Sequence, residues 1–130
     1  MKTTVLLADD HPSLLEAAAA ILQPHFDVVG TATNGAMLVS EARRLRPDII
    51  VTDINMPVLN GIEAVGQLRG SDVSAEFVFL TIYANEEFLK ACRAEGALGY
   101  VLKSQMNTHL VPAIHAAIKG ESYVSPLVAW

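Results

Sequence analysis

The sequence has one cysteine, one tryptophan and no long apolar run. A lone Cys92 excludes an internal disulfide framework and fits a reducing cytoplasm, which is the expected location. It lies on a predicted helix with no basic cluster or CxxC partner, so it reads as an inert thiol. No apolar stretch approaches the roughly 18–20 residues that a membrane-spanning helix needs. The opening Met1-Lys2-Thr3-Thr4 has no signal-peptide core before the first acids. Basic residues are scarce as well. Nine Lys and Arg face fourteen Asp and Glu, for a net charge of −5, and no basic stripe is visible. That argues against direct nucleic-acid binding by this chain. Low-complexity segments and linkers within the body of the chain are missing too.

What is present is a well-packed globular composition. The chain has 130 residues, 52% of them hydrophobic, which suits one domain with one full core. Short apolar runs alternate with amphipathic stretches. Thr4–Ala8 reads as the first strand, and Pro12 sits well in the first turn of a helix running to Leu22. Phe26–Thr33 is a less continuous second strand, as an edge strand is. Asn34-Gly35 opens a helix to about Leu45, stopped before Pro47. Ile49–Val51 is β-branched without alternation, the mark of a strand buried on both faces. Asn60 with Glu63 forms a capping-box pattern for a helix over about Gly61–Arg69. Ala75–Thr81 is the fourth strand. Asn85 caps a helix ending near Gly96, and Gly99–Leu102 is the fifth strand. A last helix starts near Asn107 and stops at Lys119-Gly120. Five strand–helix repeats with short loops predict an α/β fold, a parallel sheet covered by helices on both faces.

The unusual polar residues fall at corresponding places. Asp9 and Asp10 follow the first strand, Asp53 the third, Thr81 the fourth and Lys103 the fifth. In a parallel sheet these ends share one edge, where ligands bind in open α/β folds. Each close carboxylate pair costs about 4 kcal/mol at an effective dielectric of 20. Lys103 offsets one charge; the other two call for a divalent cation or raised pKa values. Oxygen donors in a hydrated cleft suit Mg2+ better than Zn2+. A lysine, a hydroxyl, a cation and a free carboxylate together are equipped for phosphoryl chemistry, with the carboxylate as nucleophile.

The order Asp9-Asp10, Asp53-x-Asn55-Met56-Pro57 with Asn60-Gly61, then Thr81, Tyr100 and Lys103, resembles the receiver domain of two-component response regulators. The match runs from about Thr4 to Lys119. Asp9-Asp10-His11-Pro12, Gly99 through Ser104, and Gly120 before Tyr123–Pro126 are similar to the NarL/FixJ group. The resemblance implies a flavodoxin-like sheet of five strands in the order 2-1-3-4-5. It implies that Asp53 accepts a phosphoryl group from a histidine kinase. Asp10 would ligate Mg2+ directly, Asp9 through water, and Asn55 through its backbone carbonyl. Lys103 would pair with phosphoryl oxygens. Thr81 would move toward them and Tyr100 would swing inward. That change would remodel the face of the fourth helix, fifth strand and fifth helix, the expected surface for a homodimer or an output domain. A receiver assists its own phosphorylation and dephosphorylation but is not an enzyme on a free substrate. The group usually carries a LuxR-type DNA-binding domain, so residues 1–120 read as the receiver and 121–130 as a tail or the start of a linker.

Three other readings compete. A Mg2+-dependent phosphatase often has a second acid two residues after its nucleophile, where this chain has Asn55. A flavin module would need a hydroxyl- and glycine-rich loop where Asp9-Asp10 repel phosphate. A receiver-like interaction domain without phosphorylation sits poorly with a complete acid pocket. Several residues depart from the family pattern. Ile82 is bulky beside Thr81 and is expected to narrow access to Asp53, with Tyr83 and Asn55 flanking the site. Ser104 replaces a proline, which puts a cis bond there in doubt, since it costs ~2.5–4 kcal/mol without proline. Pro112 is expected to delay or bend the last helix. His11 is either a ligand to the same cation or a helix-entry residue, the latter favoured. His109 and His115 read as helix surface, and Leu110, Ile114, Ala117 and Ile118 as a core stripe. Trp130 is either tail packing or a linker anchor.

Overall fold

The computed structural model describes residues 2–126. The strands are β1 Thr4–Ala8, β2 Asp27–Ala32, β3 Ile49–Thr52, β4 Glu76–Thr81, β5 Gly99–Leu102 and β6 Tyr123–Val124. The helices are α1 Pro12–Leu22, α2 Gly35–Leu45, α3 Gly61–Arg69, α4 Glu86–Ala94 and α5 Met106–Ile118. All pairings are parallel, in the order β2-β1-β3-β4-β5-β6. The first five strands therefore stand in the expected order, and a sixth is added. No helix among the described residues is long and apolar enough to cross a membrane.

Side-chain alternation along each strand sorts the core into two layers. Leu6, Ile50, Phe79 and Tyr100 pack with residues of α2, α3 and α4. Val5, Leu7, Val51, Val78 and Val101 pack with Leu15, Ala18 and Leu22 of α1 and with Leu110, Ala113, Ile114 and Ala117 of α5. Every residue of β3 is buried, which is why its apolar run shows no alternation in sequence.

The helix starts are fixed by local chemistry. The Asn34 and Asn85 side chains accept from the backbone N–H of Met37 and Phe88. Asn60 and Glu63 complete a reciprocal capping box. The loop between β3 and α3 is closed by the Gly61 N–H on the Ile54 carbonyl at 2.8 Å. A Cβ on Gly61 would stand 1.8 Å from the Asp53 carbonyl oxygen, so the glycine sets how closely α3 approaches the end of β3. Val58 in the same loop has φ 72°. That is a left-handed conformation which costs a β-branched residue roughly 1–2 kcal/mol.

Three expectations are corrected. The sheet has six strands, because Tyr123–Val124 extends from the tail onto β5. The tail stays there because the Ser125 N–H donates to the Tyr100 carbonyl, its hydroxyl accepts from the Leu102 N–H, and Gln105 donates to the Pro126 carbonyl. The last helix starts at Met106, next to Asn107 as expected, led in by a 3-10 turn over Lys103–Gln105. Pro112 lies inside it and neither delays nor ends it. The cost is the intrahelical bond to the Thr108 carbonyl, on an exposed stretch of the helix. Ile118 falls off the core stripe at 47% exposure, although Leu110, Ile114 and Ala117 are buried. The Ser104 bond is trans, as are all those described. Of the remaining histidines, His115 is exposed, its ring 5.1 Å from Phe26, and His109 Nδ1 meets the Tyr123 hydroxyl at 2.6 Å. Trp130 lies outside the described residues.

Two substitutions in one loop have opposite expected signs. Val58→Gly relieves the left-handed strain, less the entropy a glycine loses on folding. Its urea midpoint is expected to rise, corresponding to up to about 1 kcal/mol of added unfolding free energy. Gly61→Ala drives a methyl into the Asp53 backbone and is expected to cost about 3 kcal/mol or more in the same measurement.

Candidate functional site

The order of strands reverses direction at β1, which lies between β2 and β3. Past the carboxyl ends of β1 and β3 lies the crevice that such a reversal creates. The backbone hooks the acids there. The Asp9 N–H donates to the Ala32 carbonyl and the Asp53 N–H to the Ala8 carbonyl, both at 3.0 Å. Asp9 and Asp53 are 2% and 4% exposed, whereas Asp10 is open to solvent.

Lys103 reaches across from the end of β5. Its Nζ lies 2.8 Å from Asp9 Oδ2 and 3.1 Å from Asp53 Oδ2. The contact to Asp9 is an ion pair off the hydrogen-bonding direction, so that buried oxygen accepts no hydrogen bond. Asp53 Oδ1 accepts from the Ile54 N–H at 2.7 Å. Burial pushes the Asp53 carboxyl above its ordinary pKa and Asp9 adds to that, against the bond and charge of Lys103. For Lys103, burial acts downward, but the two carboxylates outweigh it and its pKa is raised. One ammonium serves two buried carboxylates, so it is held firmly while Asp53 is left under-compensated.

Oxygens of Asp9, Asp10 and Asp53 and a nitrogen of His11 all lie within 4.8 Å of one another. Hard oxygen donors, excess negative charge and a buried Asp9 oxygen without a hydrogen bond fit a divalent cation. His11 is the residue just before α1 and its side chain makes no cap bond. Its Nδ1 is 3.0 Å from both Asp9 Oδ1 and Asp10 Oδ1.

The structure brings the remaining candidates to the same edge. Thr81 is fully buried, its Oγ1 accepting from the Tyr83 N–H at 3.2 Å. Tyr100 is 1% exposed and donates from its hydroxyl to the Tyr83 carbonyl at 2.6 Å. The inward position of Tyr100 is thus the one occupied. Asn55 is exposed and its side-chain amide bonds the Tyr83 hydroxyl. The Tyr83 ring also stacks on Phe88 of α4, with centroids 4.2 Å apart. Sequence reasoning placed Tyr83 near the site but missed that its backbone joins Thr81 to Tyr100. No residue pattern announces a backbone bond of that kind. Ile82, expected to crowd Asp53, is 68% exposed. Cys92 is buried on α4, and burial pushes its thiol pKa up to about 12, in line with an inert role.

Comparison with known proteins follows the same lines. Residues 5–115 match the sequence model described as "Response regulator receiver domain". The nitrate/nitrite response regulator protein NarL of Escherichia coli (strain K12) is 37% identical over 124 residues, 94% of this chain and 57% of that protein. The chain spans a little over half the length of such curated relatives. The crystal structure of a LuxR-family two-component response regulator from Aurantimonas sp. SI85-9A1 superposes with a TM-score of 0.92 at 32% identity, covering 99% of this chain and 94% of that one. The isolated REC domain of RcsB from Salmonella enterica serovar Typhimurium, solved in the presence of phosphomimetic BeF3-, gives a TM-score of 0.88 at 27% identity, covering 99% and 97%. Matched over most of its length in sequence and nearly all of it in fold, the chain belongs to the response regulator receiver domains, of the NarL and LuxR-family type.

Proposed function

We propose that Asp53 is the phospho-acceptor of this receiver, taking a phosphoryl group from the phosphohistidine of a sensor kinase with Mg2+ as the cation. The observation that carries this reading is a buried carboxylate at a strand end, held by one lysine shared with a second buried acid. Receiver domains are generally not catalytic enzymes, and here too the chemistry is self-directed: the domain assists its own phosphorylation and dephosphorylation. Asp10 would hold the cation directly and Asp9 through water, with Asp53 and the Asn55 backbone carbonyl as the other protein groups that would hold it. When bound, Mg2+ neutralises the acids and the charge that develops on the transferring oxygens.

Lys103 already faces Asp53 Oδ2 and moves little to meet a phosphoryl oxygen there. The Thr81 hydroxyl accepts from the Tyr83 N–H and keeps its own proton free to donate to another, so a shift of Thr81 toward it is felt at Tyr83. Tyr83 carries that change to Tyr100 through its own backbone. Tyr100 belongs to β5, flanked by α4 and α5, so the face remodelled is the α4–β5–α5 surface. That surface is the proposed homodimer contact. We place the receiver body at residues 1–120 and the approach to a LuxR-type DNA-binding output domain in 121–130, a tail whose β6 strand docks on the receiver's β5 edge, so transcription regulation is assigned to the parent protein. The chain's acidic balance leaves DNA contact to that domain.

Two outcomes are expected. Incubation with acetyl phosphate and Mg2+ adds one acid-stable, base-labile phosphoryl group, seen by intact mass, and chelation abolishes it. Asp53→Ala stays unmodified; the same stoichiometry in that variant removes Asp53 from the role. The second outcome concerns pH. Because the folded-state pKa of Asp53 is raised, the folded protein holds this proton more tightly than the unfolded chain. The Asp53 contribution to stability therefore falls as pH rises from the ordinary carboxylate range through the folded value. Asp53→Asn lacks that loss. In Mg2+-free buffer its urea midpoint is expected to exceed wild type at pH 7, with the margin closing toward pH 4.

A further inference from the structure

His11 occupies the position before α1 where a Ser, Asp or Asn would cap the helix, yet its side chain does not cap. It turns instead into the acid pocket. Nδ1 lies 3.0 Å from Asp9 Oδ1 and 3.0 Å from Asp10 Oδ1, and the His11 N–H donates to the same Asp9 oxygen at 2.9 Å. Ionised carboxylates only accept, so Nδ1 carries the proton and donates to Asp9 Oδ1, while Asp10 Oδ1 stands equally close outside the hydrogen-bonding direction. Asp9 is buried, whereas the Asp10 side chain is 34% exposed and has no hydrogen bond among the described contacts. Adjacent carboxylates repel, and nothing else in the described contacts holds Asp10 toward Asp9.

We propose that His11 is a positioning residue for the divalent cation: its Nδ1–H gathers Asp9 and Asp10 into one ligand pair before the cation arrives. This rests on the acid pocket being the Mg2+ site proposed above. A donor that orients ligating carboxylates without touching the metal acts on affinity, and losing such a partner typically weakens metal binding about 10–100-fold. Lys103 performs the matching service on the other side, between Asp9 Oδ2 and Asp53 Oδ2. Asp9 is thus held at both oxygens, and His11 alone connects Asp10 to that frame. Helix entry does not account for the side chain, because Pro12 in the first turn needs no donor partner and the cap is left unmade.

The test separates position from stability. His11→Ser restores a capping hydroxyl to α1 and removes the bridge; His11→Ala removes both. Mg2+ binding is titrated by calorimetry at pH 8, and phosphorylation by acetyl phosphate is followed against Mg2+ concentration. Both variants are expected to raise the Mg2+ dissociation constant and the half-saturating Mg2+ about tenfold, with the phosphorylation rate at saturating Mg2+ within about twofold of wild type. His11→Ser is expected to melt at or above wild type without metal, which excludes unfolding as the cause. Unchanged or tighter Mg2+ binding in His11→Ser overturns the role of His11 while leaving the pocket intact. A wild-type protein that binds no Mg2+ overturns the pocket and this proposal together. A lower rate at saturating Mg2+ with unchanged affinity also overturns it, since the imidazole would then act on the phosphoryl group.

Discussion

Two buried carboxylates share one ammonium. Asp9 and Asp53 stand at the ends of adjacent strands, and Lys103 spans both from β5. A buried carboxylate without a counter-charge is strongly unfavourable, so the positions of these three side chains restrict everything around them. β1 and β3 must be neighbours to bring the acids together. β5 must stand on the same side of β3 as β4 for the lysine to reach. The loop after β3 must close tightly, which Gly61 allows by sitting against the Asp53 carbonyl. The family's sheet order satisfies these demands, and the described core is arranged to enforce it, with α1 and α5 on one face and α2, α3 and α4 on the other.

Most of this was legible in the residues. The unalternating Ile49–Val51 signalled a strand covered on both faces, and Asn60 with Glu63 marked the start of α3 to the residue. The strand-end positions of Asp9, Asp53, Thr81 and Lys103 were enough to predict one shared cleft. Period, capping and strand termini are local signals, and each was read locally. Elements missed were those decided by distant partners. Tyr123–Val124 is too short to show a pattern and becomes a strand only because the β5 edge is available. Ile118 fits the helical stripe by spacing, but the helix ends there and leaves it beyond the sheet. Pro112 argues against a helix interior on its own, and the buried Leu110, Ala113, Ile114 and Ala117 around it override one missing bond.

His11 and Tyr83 illustrate a further limit. Both were seen as neighbours of the site, yet their particular contacts depend on which way a side chain turns or which backbone group faces it. His11 chose the acids over the cap. Tyr83 offers its N–H to Thr81 and its carbonyl to Tyr100, a link made of atoms common to every residue. Sequence composition carries no record of such choices.

The sixth strand has a consequence for the sheet as a solid object. Without it, the backbone of β5 would present an unpaired row of donors and acceptors beside apolar Tyr100–Leu102, a template for another chain's strand. Tyr123–Val124 covers that row with an edge only two residues long, ended by Pro126 two positions on. A short edge next to a proline recruits little. A boundary drawn at residue 120 strips this cover away, and the cut domain trades a closed flank for an adhesive one.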